Sequence, residues 1–376
     1  MPHCYLPWTN IDISPQGEIS PCCKFKNSVY PNKVLNINSS TIDEYIQNPT
    51  LKEVKRDFTE GRWPKGCERC KIEEENGIQS KRIQDADQWR DYLENYEDKG
   101  FITASVAFGN TCNLTCITCD PTASSKWQQE WKVLLGRDVK PNHFYKEGFV
   151  ENFKTNTPNL VHLDIPGGEP LLSGVQQQKE LLNLYIKDGT AKNISLHYTT
   201  NCTRFPDQEW LDLWKHFKQV ELQLSIDGIK DRFEYIRFPA KWDEVSTNIE
   251  KYMKLRDEGL LKVSVSTTVS AYNIAYLDEL VDWCENIGLG MPYLGRVHNP
   301  VHLRPTVWKN DAKEYIINRL RESRYNLAPF ISLLETQDDS QHFETFRYRL
   351  VRHDGFRKLN FKKTFPEMVD FLLDKR

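Results

Sequence analysis

Between about residues 100 and 300 the chain repeats one pattern, a short run of alternating apolar and polar residues followed by a longer stretch with apolar residues three and four apart. The alternation predicts strands at 101–108, 160–166, 193–199, 219–226, 261–268 and 290–297, and the longer period predicts helices that include 175–188, 207–217, 242–258 and 276–288. Each helix leads into a new strand, so the expected sheet is parallel with right-handed crossovers. The strand faces are unusual for such a sheet. One face carries Thr103, Ser105 and Ala107, then His162 and Asp164, His197 and Thr199, Gln223, Ser225 and Asp227, and Ser264, Ser266 and Thr268. The other carries Val106 and Phe108, Leu163 and Ile165, Leu196 and Tyr198, Leu222, Leu224 and Ile226. Parallel strands covered on both sides are apolar throughout. A polar face shared by five consecutive strands instead predicts a hydrated lumen, with helices on the apolar side. An antiparallel sheet wetted on one face would alternate similarly, but the intervening helices argue against it.

Two flanks lie outside this repeat. Residues 1–95 read as a small cysteine-rich hairpin and helix domain, with a β-hairpin turning at Pro15-Gln16-Gly17 between Cys4 and the pair Cys22-Cys23, and with Cys67 and Cys70 further on. Residues 96–300 form the α/β barrel domain. Residues 301–376 form a helical extension, with amphipathic stretches at 308–322, 329–336 and 366–374, expected to cover the open side of the barrel. Arg347, Arg349, Arg352, His353 and Arg357 make a basic cluster there that suits either an acidic substrate or a solvated helix face.

Charge and composition narrow the function. Lys and Arg number 50 against 53 Asp and Glu, a net charge of -3, so no electrostatic footprint for nucleic acid or an anionic membrane is present. No run of the roughly 18 apolar residues needed to span a bilayer occurs, and no basic region precedes an apolar signal segment. A cytoplasmic location is expected. Ten cysteines in 376 residues are too sparse for a disulfide scaffold, and all but Cys202 and Cys284 fall in metal-type groupings.

Cys112, Cys116 and Cys119 stand in CxxxCxxC spacing just after the first barrel strand. Three thiolates on one short loop can converge on one side of a cubane iron–sulfur cluster and leave its fourth iron open. Structural zinc asks for four protein ligands, commonly as CxxC pairs. Gly167-Gly168-Glu169-Pro170 then closes the apolar run 160–165 at the end of the second strand.

CxxxCxxC after one strand and GGEP after the next resembles the radical S-adenosylmethionine (SAM) enzymes. That resemblance implies a partial (β/α)6 TIM-type barrel and a [4Fe-4S] cluster on Cys112, Cys116 and Cys119. It further implies SAM chelated at the open iron and cleaved by one electron to a 5′-deoxyadenosyl radical, with an electron donor such as flavodoxin or ferredoxin. Thr118 stands where the family usually has an aromatic residue. The implied SAM contacts are Gly167, Gly168, Glu169 and Pro170; Thr200 and Asn201, followed by Cys202 in place of the usual Gly; and Ser225, Asp227 and Arg237, Arg suiting a carboxylate through its bidentate geometry. The catalytic candidates are Asp164 and Asp227. The N-terminal cysteines look like the twitch or SPASM domains that hold an auxiliary [4Fe-4S] cluster, with Cys4, Cys22, Cys67 and Cys70 as ligands and Cys23 as the alternative to Cys22. Here that domain precedes the barrel, whereas in most such enzymes it follows. A four-thiolate zinc site is the competing reading of these cysteines.

The sequence therefore predicts a radical SAM oxidoreductase or maturase acting on a peptide or protein side chain. A radical SAM enzyme for a nucleotide or sugar, which the polar lumen would admit, is the first alternative. A non-catalytic metal-binding module is the second.

Overall fold

The computed structural model describes residues 2–30, 34–75, 79–136 and 147–372. The alternating runs form strands β3 (Thr103–Val106), β4 (His162–Ile165), β5 (Ser195–Thr200), β6 (Gln219–Ser225), β7 (Lys262–Val269) and β8 (Tyr293–Arg296). They lie side by side in chain order, each parallel to the next. The helices Val175–Lys187, Gln208–Trp214, Trp242–Asp257 and Leu277–Asn286 follow β4 to β7 as the periodicity required. Alternation has the predicted consequence. Leu196, Tyr198, Leu222 and Leu224 are buried in the main core with Leu182, Tyr185, Trp210 and Trp214 from the helices, while His197, Glu221 and Gln223 remain half-buried on the other face.

The N-terminal hairpin forms as expected, from β1 (Asn10–Ile13) and β2 (Ile19–Ser20), with Gly17 at the turn in the left-handed region. Its placement was not foreseen. β1 pairs in parallel with β3, Asn10 opposite Thr103 and Asp12 opposite Ser105, so among the described residues one sheet of eight strands runs β2-β1-β3-β4-β5-β6-β7-β8. Ile11, Ile13 and Ile19 belong to the barrel's own core. The hairpin is thus an extension of the barrel sheet, not a freestanding unit. The reason lies in Asn10-Ile11-Asp12-Ile13, which repeats the polar and apolar alternation of the barrel strands. Cys4, Leu6, Tyr30, Val54 and Phe58 make a second small core, with Cys22 and Cys67 packed against it.

Beyond β8 the helices Asn310–Glu322, Ala328–Thr336 and Phe343–Arg357 build a third core around Trp308, Phe346 and Leu350. The stretch expected as a helix over 366–374 holds only a 3-10 turn, Pro366–Met368, and residues 373–374 lie outside the described residues. Proline at 366 removes the amide the preceding turn would need. Ile117, from the cysteine loop, is buried in this C-terminal core, so the extension grips the loop.

Candidate functional site

The cysteine loop leaves β3 at Gly109, whose φ of 110° suits glycine. Thr115 and Ile117 then donate their backbone N–H groups to Phe238 O and Ile236 O at 2.7 and 2.8 Å, pinning the loop to the segment after the helix Lys230–Ile236. Ser124 Oγ donates to Leu114 O at 2.6 Å and Trp127 Nε1 to Cys116 O at 3.0 Å. The stretch from Leu114 to Ile117, with Cys116 in it, is therefore held in place by backbone and side-chain hydrogen bonds.

Cys112, Cys116 and Cys119 are close enough to raise one another. Burial, first, and then Cys112 and Asp227 push Cys116 up to about 12, although Arg237 and Arg357 act to lower it. Cys119 is driven up by burial and then by Cys116 and Cys112. Three half-buried, neighbouring thiols whose pKa values are all raised ionise together only when positive charge arrives with them, which is what a metal cluster brings. Among the described residues no three Cys, His, Asp or Glu side chains close onto a single-ion site.

The glycine pair lies against this loop. A Cβ at Gly168 would sit 2.3 Å from Thr111 O, and one at Gly167 would sit 2.6 Å from Ala107 Cβ and 3.3 Å from Pro15 Cγ of the hairpin. Both φ angles are positive, 90° at Gly167 and 54° at Gly168. Only glycine fits, and the cradle it leaves lies beside Cys112.

Glu169 is not the open carboxylate the sequence suggested. It is fully buried, and it accepts from Thr200 Oγ1 at 2.8 Å, Asn201 N at 2.7 Å and Leu171 N at 3.3 Å. Thr200 is fully buried with it, and Pro170 is buried too, its carbonyl accepting from Gln178 Nε2 at 2.7 Å. These residues brace the ends of β4 and β5 against each other; they offer no side chain to a ligand. Asn201 does reach the loop, through Nδ2 to Asn113 Oδ1 at 3.1 Å and Cys112 Sγ at 3.7 Å. Ser225 ends β6, opposite Ser266. Asp227, a catalytic candidate from sequence, is also fully buried: Oδ1 accepts from Thr268 N at 2.7 Å, and Oδ2 lies 2.9 Å from Arg237 Nη2. It is a counter-ion, set too deep to touch a substrate. Arg237 keeps its charge because Asp227 and then Cys116 outweigh the cost of its burial, and its Nε has no hydrogen-bond partner among the described residues.

Asp164, the other catalytic candidate, does open onto the lumen, a chamber of about 740 Å³ lined by Asn10, Asp12, Ser105, Asp164, His197 and Glu221 and reaching Gly167. Its Oδ1 meets His197 Nδ1 at 2.7 Å and its Oδ2 accepts from Ser105 Oγ at 3.0 Å. Burial works against the His197 imidazolium, but Asp164 wins and raises its pKa. Asp12 is pushed up to about 6 by burial and then by Asp164. Sequence reasoning missed Asp12, Lys81 and Glu221 here. The strand alternation that exposed His197 would have found Asp12 had β1 been read as a barrel strand.

The adjacent cysteines part company in the structure. Cys22, raised by burial, is raised further by Cys23, Cys4 and Cys67, and Cys67 by Cys4 and Cys70 after its own burial. Cys23 feels chiefly burial, then Lys81 and Asp12, and it lines the chamber. Four thiols gather away from the chamber and the fifth faces it.

The family model described as the radical SAM superfamily matches residues 106–284, and the model described as an iron–sulfur cluster-binding domain (SPASM) matches residues 4–71. Residues 106–284 thus carry a radical SAM domain, preceded by a SPASM iron–sulfur domain. With that family and the SPASM domain come a SAM-binding [4Fe-4S] cluster and an auxiliary one. Among curated relatives, the sporulation killing factor maturation protein SkfB of Bacillus subtilis (strain 168) is 21% identical over 264 residues, 68% of this chain and 59% of SkfB. The chain thus matches little more than half the length of that relative. Among solved structures, native anSMEcpe with bound AdoMet is 17% identical with a TM-score of 0.43, covering 58% of this chain and 59% of that one. Streptococcus suis SuiB bound to S-adenosylmethionine is 14% identical with a TM-score of 0.37, over 85% and 66%. Of the described residues, no helix is long and apolar enough to cross a membrane.

Proposed function

We propose that this radical SAM protein cleaves SAM reductively and takes a hydrogen atom from a peptide or protein side chain held in the lumen, its auxiliary cluster serving the second half of the reaction. The observation that carries the reading is the placement of three half-buried thiols of one loop beside a two-glycine cradle whose Gly167 lines a polar chamber. Cys112, Cys116 and Cys119 would hold the SAM-binding cluster, and Cys4, Cys22, Cys67 and Cys70 the auxiliary one. When bound there, the cluster would supply the one electron that breaks the sulfonium bond of SAM to methionine and a 5′-deoxyadenosyl radical, and an electron-donor protein such as a flavodoxin or ferredoxin would replace that electron.

The chain's own residues do the rest. Gly167 and Gly168 leave room for a ligand beside Cys112, and the Glu169, Thr200 and Asn201 brace fixes the distance between that cradle and β5. Arg237, with one nitrogen unused, suits the SAM carboxylate, while Asp227 keeps it from drifting. In the chamber, His197 has Nδ1 committed to Asp164, so Nε2 is the nitrogen left to accept a proton from a substrate. The relative SkfB, by its name a maturation protein for the sporulation killing factor, supports the substrate class. The polar lining favours one other reading, a small nucleotide or sugar.

The test is anaerobic reconstitution with iron, sulfide, SAM and dithionite. Formation of 5′-deoxyadenosine supports the reading, and its absence under strong reduction favours a binding module. A mass change on a co-expressed small protein that depends on Cys116 supports the peptide assignment. Turnover of free nucleotides or sugars alone would replace it.

A further inference from the structure

The basic cluster near the C-terminus divides in the structure. Arg347 pairs with Glu344 on the surface and Arg352 donates to Tyr348 Oη, as solvated helix residues do. Arg357, at the end of the helix Phe343–Arg357, has no exposed side-chain surface at all. Its Nη2 donates to Thr115 O at 2.7 Å, the residue before Cys116, across 242 positions of sequence. Its Nε donates to Glu130 Oε1 at 2.8 Å, and Glu130 also accepts from His353 Nδ1 at 3.0 Å. The guanidinium carbon lies 5.0 Å from the ring centroid of Trp127, whose indole N–H holds Cys116 O, and 5.3 Å from that of Phe238, whose carbonyl holds Thr115 N.

One atom in this arrangement is unaccounted for. Arg357 Nη1 is buried and has no hydrogen-bond partner among the described residues. A buried guanidinium with an idle N–H is an expensive thing to place, and a single carboxylate shared with a histidine does not exhaust it. Burial lowers the His353 pKa despite Glu130, so the histidine adds no second cation, and Glu130 stays ionised between them. The cation therefore sits on the cysteine-loop side of its counter-ion. An anionic sulfur centre on that loop would complete it, because N–H groups donated to such a centre, and charge placed near it, stabilise its reduced form.

We propose that Arg357 is a positioning residue for the SAM-binding cluster, holding the Cys116 turn through Thr115 O and raising the cluster's reduction potential with its charge and its free Nη1–H. This rests on the reading of Cys112, Cys116 and Cys119 as cluster ligands. Reduction adds one electron, from dithionite in vitro or a low-potential donor protein, to a centre that is already negative, and a fixed buried cation favours that state over the oxidised one. The C-terminal extension is then part of the radical site, not only a cover for the barrel.

The experiment is an EPR-monitored redox titration of the reconstituted full chain, with the auxiliary cluster as internal reference. Arg357→Met is expected to shift the balance at fixed potential about tenfold toward the oxidised cluster, a midpoint about 59 mV lower for one electron, with the auxiliary midpoint unmoved. Arg357→Lys, which keeps the charge, should recover at least half the shift. Glu130→Gln, which removes the opposing charge, should move the midpoint upward. An unmoved midpoint in Arg357→Met with its iron intact would overturn the proposal, as would Arg357→Lys behaving like Met or both clusters shifting together. If Arg357→Met fails to hold its cluster, the Glu130→Gln shift against wild type decides: an upward shift supports the proposal, and an unmoved or lowered midpoint overturns it. A wild-type chain that assembles no SAM-responsive cluster would refute the underlying functional reading instead.

Discussion

Gly168 gives the sharpest test of the cradle. Its φ of 54° costs an L-residue about 1–2 kcal/mol. The Cβ of Ala at this position would also stand 2.3 Å from Thr111 O and 2.9 Å from the carbonyl carbons of Asn110 and Thr111. These are backbone atoms next to Cys112, and they cannot turn aside as a side chain would. The carbonyl must retreat, and with it goes the hydrogen bond it accepts from Glu169 N at 2.8 Å, worth about 0.5–1.5 kcal/mol. The sum is about 2–3 kcal/mol, or a Tm lower by roughly 3 °C in a chain of this size. The effect on chemistry should be larger, since displacing a ligand by roughly 1 Å costs on the order of 100-fold in rate. The matched control is Gly189→Ala. Gly189 has a φ of 76° with nothing within 4 Å of its would-be Cβ, so it carries a similar backbone cost with no neighbour to push. Gly168→Ala should lose about 100-fold in 5′-deoxyadenosine formation while Gly189→Ala keeps the wild-type rate. A Gly168→Ala protein with full iron and a rate within a few-fold of wild type would refute the cradle.

Cys22→Ala should lose the auxiliary cluster's absorbance, whereas Cys23→Ala should keep it and lose only a thiol alkylated from the chamber; iron analysis of the pair decides, and equal loss in both would contradict the separation of the two thiols. Asp12 has a folded pKa of about 6, above the usual carboxylate range, so the folded state binds the extra proton and stability falls as pH rises from about 4 to about 6, by roughly 3 kcal/mol. Asp12→Asn removes that titration, and its melting temperature should gain on wild type across this window and run parallel above it; a pH-independent difference would contradict the assignment. Asp227→Asn strands the buried Arg237 charge and should destabilise by about 3–5 kcal/mol, measured by urea unfolding, while a loss below about 1 kcal/mol would show the pair to be effectively solvated.

The cysteine loop, the glycine pair and the polar lumen were legible because each is a local demand written at fixed spacing. Thiolates on one cluster must share a loop, backbone that approaches a ligand must lack Cβ, and a strand face that meets water must alternate. What was hidden depends on long separations. Glu169 looked like a ligand because its partners, Thr200 and Asn201, lie some thirty residues away and only the fold brings them over its oxygens. Arg357 read as part of a basic cluster for an acidic substrate or a solvated helix face because its acceptor, Thr115 O, lies 242 positions earlier. Cys22 and Cys23 could not be told apart by spacing, since adjacent residues differ only in the direction the backbone gives them. The hairpin was a different case: its alternation was visible, but its cysteines drew attention to the metal site and away from the sheet edge at β3.

The central claim is that a SAM-cleaving cluster sits on Cys112, Cys116 and Cys119, apart from the auxiliary site. The direct measurement is iron content together with 5′-deoxyadenosine yield after anaerobic reconstitution of the wild-type chain and of a variant with all three residues changed to Ala. The account predicts that the variant holds about four fewer irons per chain, keeps the auxiliary cluster's absorbance and forms no 5′-deoxyadenosine. A variant that still cleaves SAM, or whose iron content equals that of wild type, would contradict it.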